Sequence, residues 1–310
     1  SSSHGSKRSS PGPCTPTPCH EREDAFGHAA DMTLWGVRDG EVTVQTRSAE
    51  PLPVKYYASW RDPYSQRVWI GLEEKAVDYQ WIDVNLYRRS SEEGTQGRWL
   101  LPLEELGRIY PDFLSASPKG RLPALDNDGE IVAQDALIIL EYIHEAFSGP
   151  PLLPAAPHPR ARVRLWTRHV DANIVPHYER LLDSQDGDSR LQARVSLMEG
   201  LAEFEAAMAP EAEGPFFLGD DFTMADIALA PWWQRMCTVL RAYRKFDPSS
   251  CPRLQAWYEA VVARPAVRNT MMDPERLIEE FSDRADIEES TQFRRGAPLV
   301  RGPCKPFRGR

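Results

Sequence analysis

The 310 residues carry a formal charge of -9 at pH 7, with 41% hydrophobic and 27% charged side chains, enough chain for two modest domains with cores of their own. This acidic balance, with no basic stripe interleaved with aromatics, speaks against nucleic acid or an anionic membrane surface as a main partner. The longest apolar run, from Ala136 to Leu140 and on to Tyr142 and Ile143, is broken by Glu141 and falls far short of the roughly 20 residues that a membrane span requires.

The five cysteines, at positions 14, 19, 237, 251 and 304, show no CxxC spacing, so neither a zinc site nor a disulfide framework follows and no metal is expected. Residues 1–28 lack the apolar core of a signal peptide, which makes the reducing cytoplasm the expected compartment.

In chain order, residues 1–52 open on a stretch rich in Ser, Pro, His and charge. It cannot bury enough apolar surface to offset the entropy of ordering, and a mostly disordered tail is expected. One extra strand offers itself from Glu41 to Val44. Residues 54–58 read as a strand, 63–75 as a helix with Val68, Trp69, Leu72 and Ala76 on one face, and 79–84 as a second strand. A polar excursion with a short helix follows over 88–108. Then come a strand from Leu122 to Leu125, a turn at Asp126-Asn127-Asp128-Gly129, a strand at Ile131 and Val132, and a helix over 135–147. The order β-α-β then ββα is the thioredoxin-like arrangement and predicts an α+β domain over 53–148.

The Gly149-Pro150-Pro151 run predicts a stiff linker over 149–157. An all-α helical domain is expected over 158–290. Its apolar faces are Val163, Trp166, Val170 and Ile174; Leu191, Val195, Met198 and Leu201; and Leu254, Trp257, Tyr258 and Val261. Thr223 and Asp226 have the spacing of a capping box, in which each side chain satisfies a free N–H at the helix start. Residues 291–310, basic and containing Gly and Pro, are expected to form a flexible tail.

Asp62 suits the N-cap and Pro63 the first helical position. A helix beginning there directs its free N–H groups and positive dipole end at whatever lies above the turn, which favours an anion such as a thiolate or carboxylate. The segment from Tyr57 to Ile70 resembles the first strand-to-helix turn of glutathione transferases, closest to the omega-like and fungal members. In those a catalytic cysteine stands immediately before the proline, where this chain has Asp62.

Further motifs of that family appear in order over residues 53–283. The run Ser117-Pro118-Lys119-Gly120-Arg121-Leu122-Pro123 resembles the family's Asn-Pro-x-Gly-x-Val-Pro segment. That resemblance implies a cis bond before Pro123, a hydrogen bond between Leu122 and the cysteinyl part of glutathione, and Arg121 or Lys119 on the glycyl carboxylate. Asp135 and Ala136 stand where the family's Glu-Ser helix start meets the γ-glutamyl group, with the serine hydroxyl missing. The resemblance therefore implies the glutathione transferase fold, glutathione as cosubstrate and a homodimer. It also implies an electrophilic small-molecule substrate in a pocket between the domains, with Trp60 and Trp166 as candidate walls and His169, His177, Tyr178, Trp232 and Trp233 beside them.

Asp62 cannot form the mixed disulfide of the cysteine-bearing members, and a carboxylate beside the thiol raises the thiol pKa. Lowering a thiol by two units from ~8.5 takes ~2.7 kcal/mol, which is within reach of one hydroxyl donor plus the helix dipole. Ser59 is the candidate donor, with Tyr64, Ser65, Tyr56 and Tyr57 as alternatives and Asp62 as cap or weak base. The expected reaction is glutathione addition to an electrophile, or its glutathione-dependent isomerisation. The long excursion, the altered motif and the resemblance to fungal members point to specialisation in fungal secondary metabolism rather than general detoxification. A non-catalytic glutathione-binding or regulatory protein is the rival reading. A thiol transferase working through Cys237 or Cys251 is a third.

Overall fold

The computed structural model describes residues 44–45, 54–89 and 98–285. The expected C-terminal tail, most of the N-terminal one, and Cys14, Cys19 and Cys304 lie outside the described residues. Five strands make one sheet in the order β1 (Val44–Gln45), β3 (Gln80–Asp83), β2 (Val54–Ala58), β6 (Ala124–Asn127), β7 (Glu130–Ala133). Only β2 and β3 run parallel, and α1 (Pro63–Glu74) is the crossover that a parallel pair requires. Alternation along β2 sends Tyr56 into the main core and Tyr57 to the opposite face, against Phe113 and Val84.

The excursion holds a hairpin that its polar sequence did not announce: β4 (Tyr87–Arg89) pairs with β5 (Arg98–Leu100), and α2 (Leu103–Ile109) and α3 (Pro111–Ala116) follow. Ala76 does not extend the apolar face of α1. It is exposed at φ 51°, past the helix end. There the Lys75 ammonium donates to the carbonyls of His144 and Phe147 at 3.3 and 3.0 Å, binding the end of α1 to that of α4 (Ala136–Ala146).

The second half is helical. It comprises α5 (Pro157–His169), which continues through a π-helical segment into α6 (Val175–Asp183), then α7 (Gly187–Ala207) and α8 (Met224–Arg235). After a second π-helical segment come α9 (Arg241–Arg244), α10 (Pro252–Ala263), α11 (Pro265–Arg268) and α12 (Pro274–Glu280). The capping box at Thr223 and Asp226 is present, and every residue of α8 is buried. Helix α1 packs on α4, α8 and α11, so the two halves share one apolar core. Among the described residues no helix is long and apolar enough to cross a membrane.

The face expected for α7 is corrected. Leu191 and Val195 are 62% and 49% exposed, whereas Ala193, Leu197, Gly200, Leu201 and Phe204 are buried. Gly200 decides this: a Cβ there would stand 2.4 Å from the Asn173 carbonyl oxygen, so the glycine side of the helix is the one that approaches α5–α6 closely. Gly200→Ala is therefore expected to cost about 2 kcal/mol despite its better helix propensity, because backbone yields less readily than a side-chain tip. Urea unfolding checks this, and a stabilised variant would refute it.

Candidate functional site

Several hydrogen bonds within the turn between β2 and α1 shape it. Asp62 accepts from the Tyr64 and Ser65 N–H groups at 3.3 and 2.8 Å and from the Ser65 hydroxyl at 2.7 Å. The Asp62 N–H donates to the Ser59 carbonyl at 3.1 Å, and the Ser59 N–H donates to the Ser65 hydroxyl at 3.3 Å. Of the two anions that the helix N-terminus favours, thiolate or carboxylate, the one in place is the carboxylate of Asp62 itself, which occupies the N–H groups of Tyr64 and Ser65. Burial pushes its carboxyl above the ordinary aspartate value, while these donors and the Arg235 charge pull the other way.

Among the candidate hydroxyl donors, geometry separates two groups. The Ser65 hydroxyl is committed to Asp62, the Tyr56 hydroxyl donates to the Ser65 carbonyl, and Tyr57 packs on the far face of the sheet. Ser59 and Tyr64 line a cavity of about 1020 Å3 above the turn. The Ser59 hydroxyl makes no hydrogen bond among the described residues. Burial pushes the Tyr64 phenol up to about 12, so it stays protonated at neutral pH.

Asp62, Arg121, Leu122, Pro123, Asp135 and Ala136 line the same cavity. The Leu122–Pro123 bond is cis. Leu122 precedes β6, and its backbone N–H and carbonyl are unpaired among the described residues, an open strand end facing the cavity. The Ser117 hydroxyl shapes the loop before it, accepting from the Arg121 N–H at 3.1 Å and donating to the Arg121 carbonyl at 2.8 Å. Opposite, Asp135 caps α4 by accepting from the Leu137 and Ile138 N–H groups at 2.9 and 3.3 Å.

Trp60 and Trp166 are not brought to the cavity. Trp60 is 8% exposed beneath the Arg276 guanidinium, 3.8 Å from its ring centroid, because α12 folds over the turn. Trp166 packs among His169, Phe204 and Phe217, where the apolar stripe of α5 puts it. Trp232 does line the cavity, edge-on to Tyr64 with ring centroids 5.3 Å apart.

Residues 63–146 match the family described as Glutathione S-transferase, N-terminal domain, and residues 172–260 the one described as Glutathione S-transferase, C-terminal domain. Glutathione transferase Omega 3C from Trametes versicolor is similar to the chain at 30% identity and a TM-score of 0.62, over 78% of this chain and 94% of that one. The chain belongs to the glutathione transferase superfamily. Glutathione S-transferase U16 from Arabidopsis thaliana is 28% identical over 73% of this chain and 91% of its own. A maleylacetoacetate isomerase from Methylobacterium extorquens AM1, solved with malonate and GSH bound, is 29% identical, with a TM-score of 0.51, over 70% of this chain and 95% of that one. Membership of this superfamily supports a glutathione-dependent activity in general.

In this member of the superfamily the cavity's outer wall comes from residues that local sequence did not single out. Gln134, at φ 78°, stands beside Asp135, and Asp171, Glu179, Phe281 and Arg284 come from the helical half. Arg284 is bonded to Asp183 at 2.7 Å and to Glu179, and burial pushes the Glu179 carboxyl up. For Gln134 the only sequence signal was its place between a strand end and a helix cap; the residues of the helical half gave none. Cys237 and Cys251 are both buried, and burial with nearby Glu205 pushes the Cys251 thiol up to about 11, which leaves it protonated at neutral pH.

Proposed function

We propose that this chain activates glutathione over the turn at Asp62 and adds it to an electrophilic small molecule, or uses it to isomerise one. The supporting observation is convergence. The open backbone of Leu122, the start of α4 at Asp135 and Ala136, and the Ser59–Asp62 turn all border one cavity. On this reading the cysteinyl backbone pairs with Leu122, the γ-glutamyl group meets Asp135 and the Ala136 N–H, and Arg121 or Lys119 takes the glycyl carboxylate. Ser59 donates to the thiolate, and the electrophile lies toward Tyr64, Trp232 and Phe281.

The isomerase half of the reading draws on the similarity to the maleylacetoacetate isomerase. On this reading disulfide exchange is not the main chemistry, because the carboxylate of Asp62 forms no mixed disulfide. A homodimer in the cytoplasm, a role in fungal secondary metabolism and a division into domains over 53–148 and 158–290 belong to the same proposal. The rival, a non-catalytic binding protein, draws on Asp62 occupying the helix N-terminus and on Ala136 lacking a hydroxyl.

Titration calorimetry tests the ligand. Glutathione is expected to bind, and Ala136→Ser to tighten binding about tenfold by restoring one hydrogen bond to a charged carboxylate. No binding at millimolar ligand, or no gain in the variant, overturns the assignment. Binding without turnover of any electrophile tried would favour the rival.

A further inference from the structure

Arg235 ends α8 with its side chain fully buried. Its Nη1 donates to the Gln66 side-chain oxygen at 2.7 Å and to the Pro231 carbonyl at 3.0 Å, and its Nη2 donates to the Arg61 carbonyl at 3.0 Å. All three acceptors are neutral, and no ion pair with a carboxylate is formed among the described residues. The Gln66 amide has a defined orientation, because its nitrogen donates to the Gln234 side-chain oxygen at 3.1 Å and to the Thr270 carbonyl at 3.0 Å, leaving the oxygen for the arginine. A cation taken out of water is costly to bury unless an anion or strong acceptors compensate it.

What it faces is the turn. The Arg61 carbonyl that accepts from Arg235 belongs to the peptide unit whose N–H, on Asp62, donates to the Ser59 carbonyl. One hydrogen-bonded chain therefore runs from the buried guanidinium through that peptide to Ser59, and such chains polarise in concert. The ionisable groups around Arg235 are Asp62 on the turn, Tyr178 and Glu179 on α6, and Tyr258 on α10, with Arg284 beyond Tyr178. Arg67 on α1 is paired with Asp171 at 2.7 Å, and Arg61 with Glu280 at 3.1 Å. Asp62 is occupied by its cap donors and Glu179 by Arg284. Arg235 is the cation of this group without a carboxylate of its own.

We propose that Arg235 is a positioning residue that fixes the Ser59–Asp62 turn from beneath and supplies the counter-charge for an anion bound above it. The anion is the glutathione thiolate, and in this the inference rests on the functional reading above. It explains how a thiol can ionise over a helix end already occupied by Asp62: the charge that Asp62 cancels at the N-terminus is restored from the helical half.

The test is the ultraviolet thiolate absorbance of bound glutathione, titrated against pH in the full chain and in Arg235→Lys, Arg235→Met and Gln66→Glu. Arg235→Lys keeps the charge and is expected to keep the midpoint. Arg235→Met, and Gln66→Glu by giving the guanidinium a carboxylate, are expected to raise it by about one unit, leaving about tenfold less thiolate at neutral pH. Gln66→Glu retains the arginine and carries the test if Arg235→Met does not fold. Unmoved midpoints in variants that still bind glutathione would overturn the inference and leave Arg235 a structural strut. Absence of glutathione binding in the unmodified protein would overturn the functional reading and this inference with it, a result the calorimetry distinguishes.

Discussion

Asp226→Ala is expected to lower the unfolding free energy by about 4 kcal/mol, a large share of the roughly 5–15 kcal/mol that keeps an ordinary protein folded. Its two carboxylate oxygens take four hydrogen bonds. One accepts from the Phe217 N–H and the Trp257 indole N–H, both at 2.8 Å, and the other from the Thr223 N–H at 2.8 Å and the Thr223 hydroxyl at 3.2 Å. Phe217 and Trp257 are fully buried and Thr223 is 2% exposed, so alanine would leave three N–H donors without water to replace the lost acceptor. Those donors also lie on three separate segments, so the carboxylate joins the loop before α8, the start of α8 and α10. Asp226→Asn keeps one oxygen but turns an amide N–H toward donors, and about half the loss is expected. Urea unfolding followed by circular dichroism checks both. A loss under about 1 kcal/mol for the alanine variant would mean that the site collapses or hydrates without penalty.

Of that network, the bonds from Phe217 and Trp257 have no local signal, whereas the capping box was legible because it is local: Thr223 and Asp226 are three residues apart and announce a helix start by type and spacing. The same holds for Asp62 and Pro63 at the start of α1 and for the turn between β6 and β7, where Gly129 sits at φ 94°. Motifs of this kind marked element starts and turns, whereas the resemblance to the glutathione transferases pointed to Leu122, Asp135 and Ala136, which line one cavity with the turn. The misread parts depended on what lies across the interface. The α7 stripe could be drawn on two neighbouring faces, and only the close backbone approach at Gly200 selects between them. Trp60 looked like a pocket floor until α12 covered it. Arg235 reaches Arg61 across 174 positions, and no window of sequence relates the two. Even Asp62, correctly read as a cap, had a consequence that spacing could not disclose: by filling the helix end it would, in the proposed chemistry, shift the burden of thiolate stabilisation to other groups.

Ser59 carries the most of that burden in the proposed chemistry, and Ser59→Ala is expected to raise the midpoint of the bound thiol by about one to two units, with ten- to hundredfold less thiolate at neutral pH. The serine is 7% exposed and its hydroxyl has no partner among the described residues, so its removal should leave stability nearly unchanged while the titration moves. Asp62→Asn should act in the opposite direction, because asparagine still caps α1 but no longer repels the thiolate. A fall in turnover with an unmoved midpoint would instead make Asp62 a base. The unliganded protein offers an independent check on the same carboxyl. Burial raises it above the ordinary aspartate value, so between those two values the folded chain holds a proton that the unfolded chain has released. Its contribution to stability therefore falls as pH rises through that interval and is level above it, and Asp62→Asn should reduce the slope measured by urea unfolding. Dehydroascorbate reduction is expected to be absent from the unmodified protein, since position 62 holds a carboxylate and no thiol stands at the turn among the described residues. Robust activity in that assay would require an exchangeable cysteine elsewhere in the chain and would overturn the assignment of Ser59 and Asp62 to the reacting centre; the two cysteines among the described residues, Cys237 and Cys251, are buried.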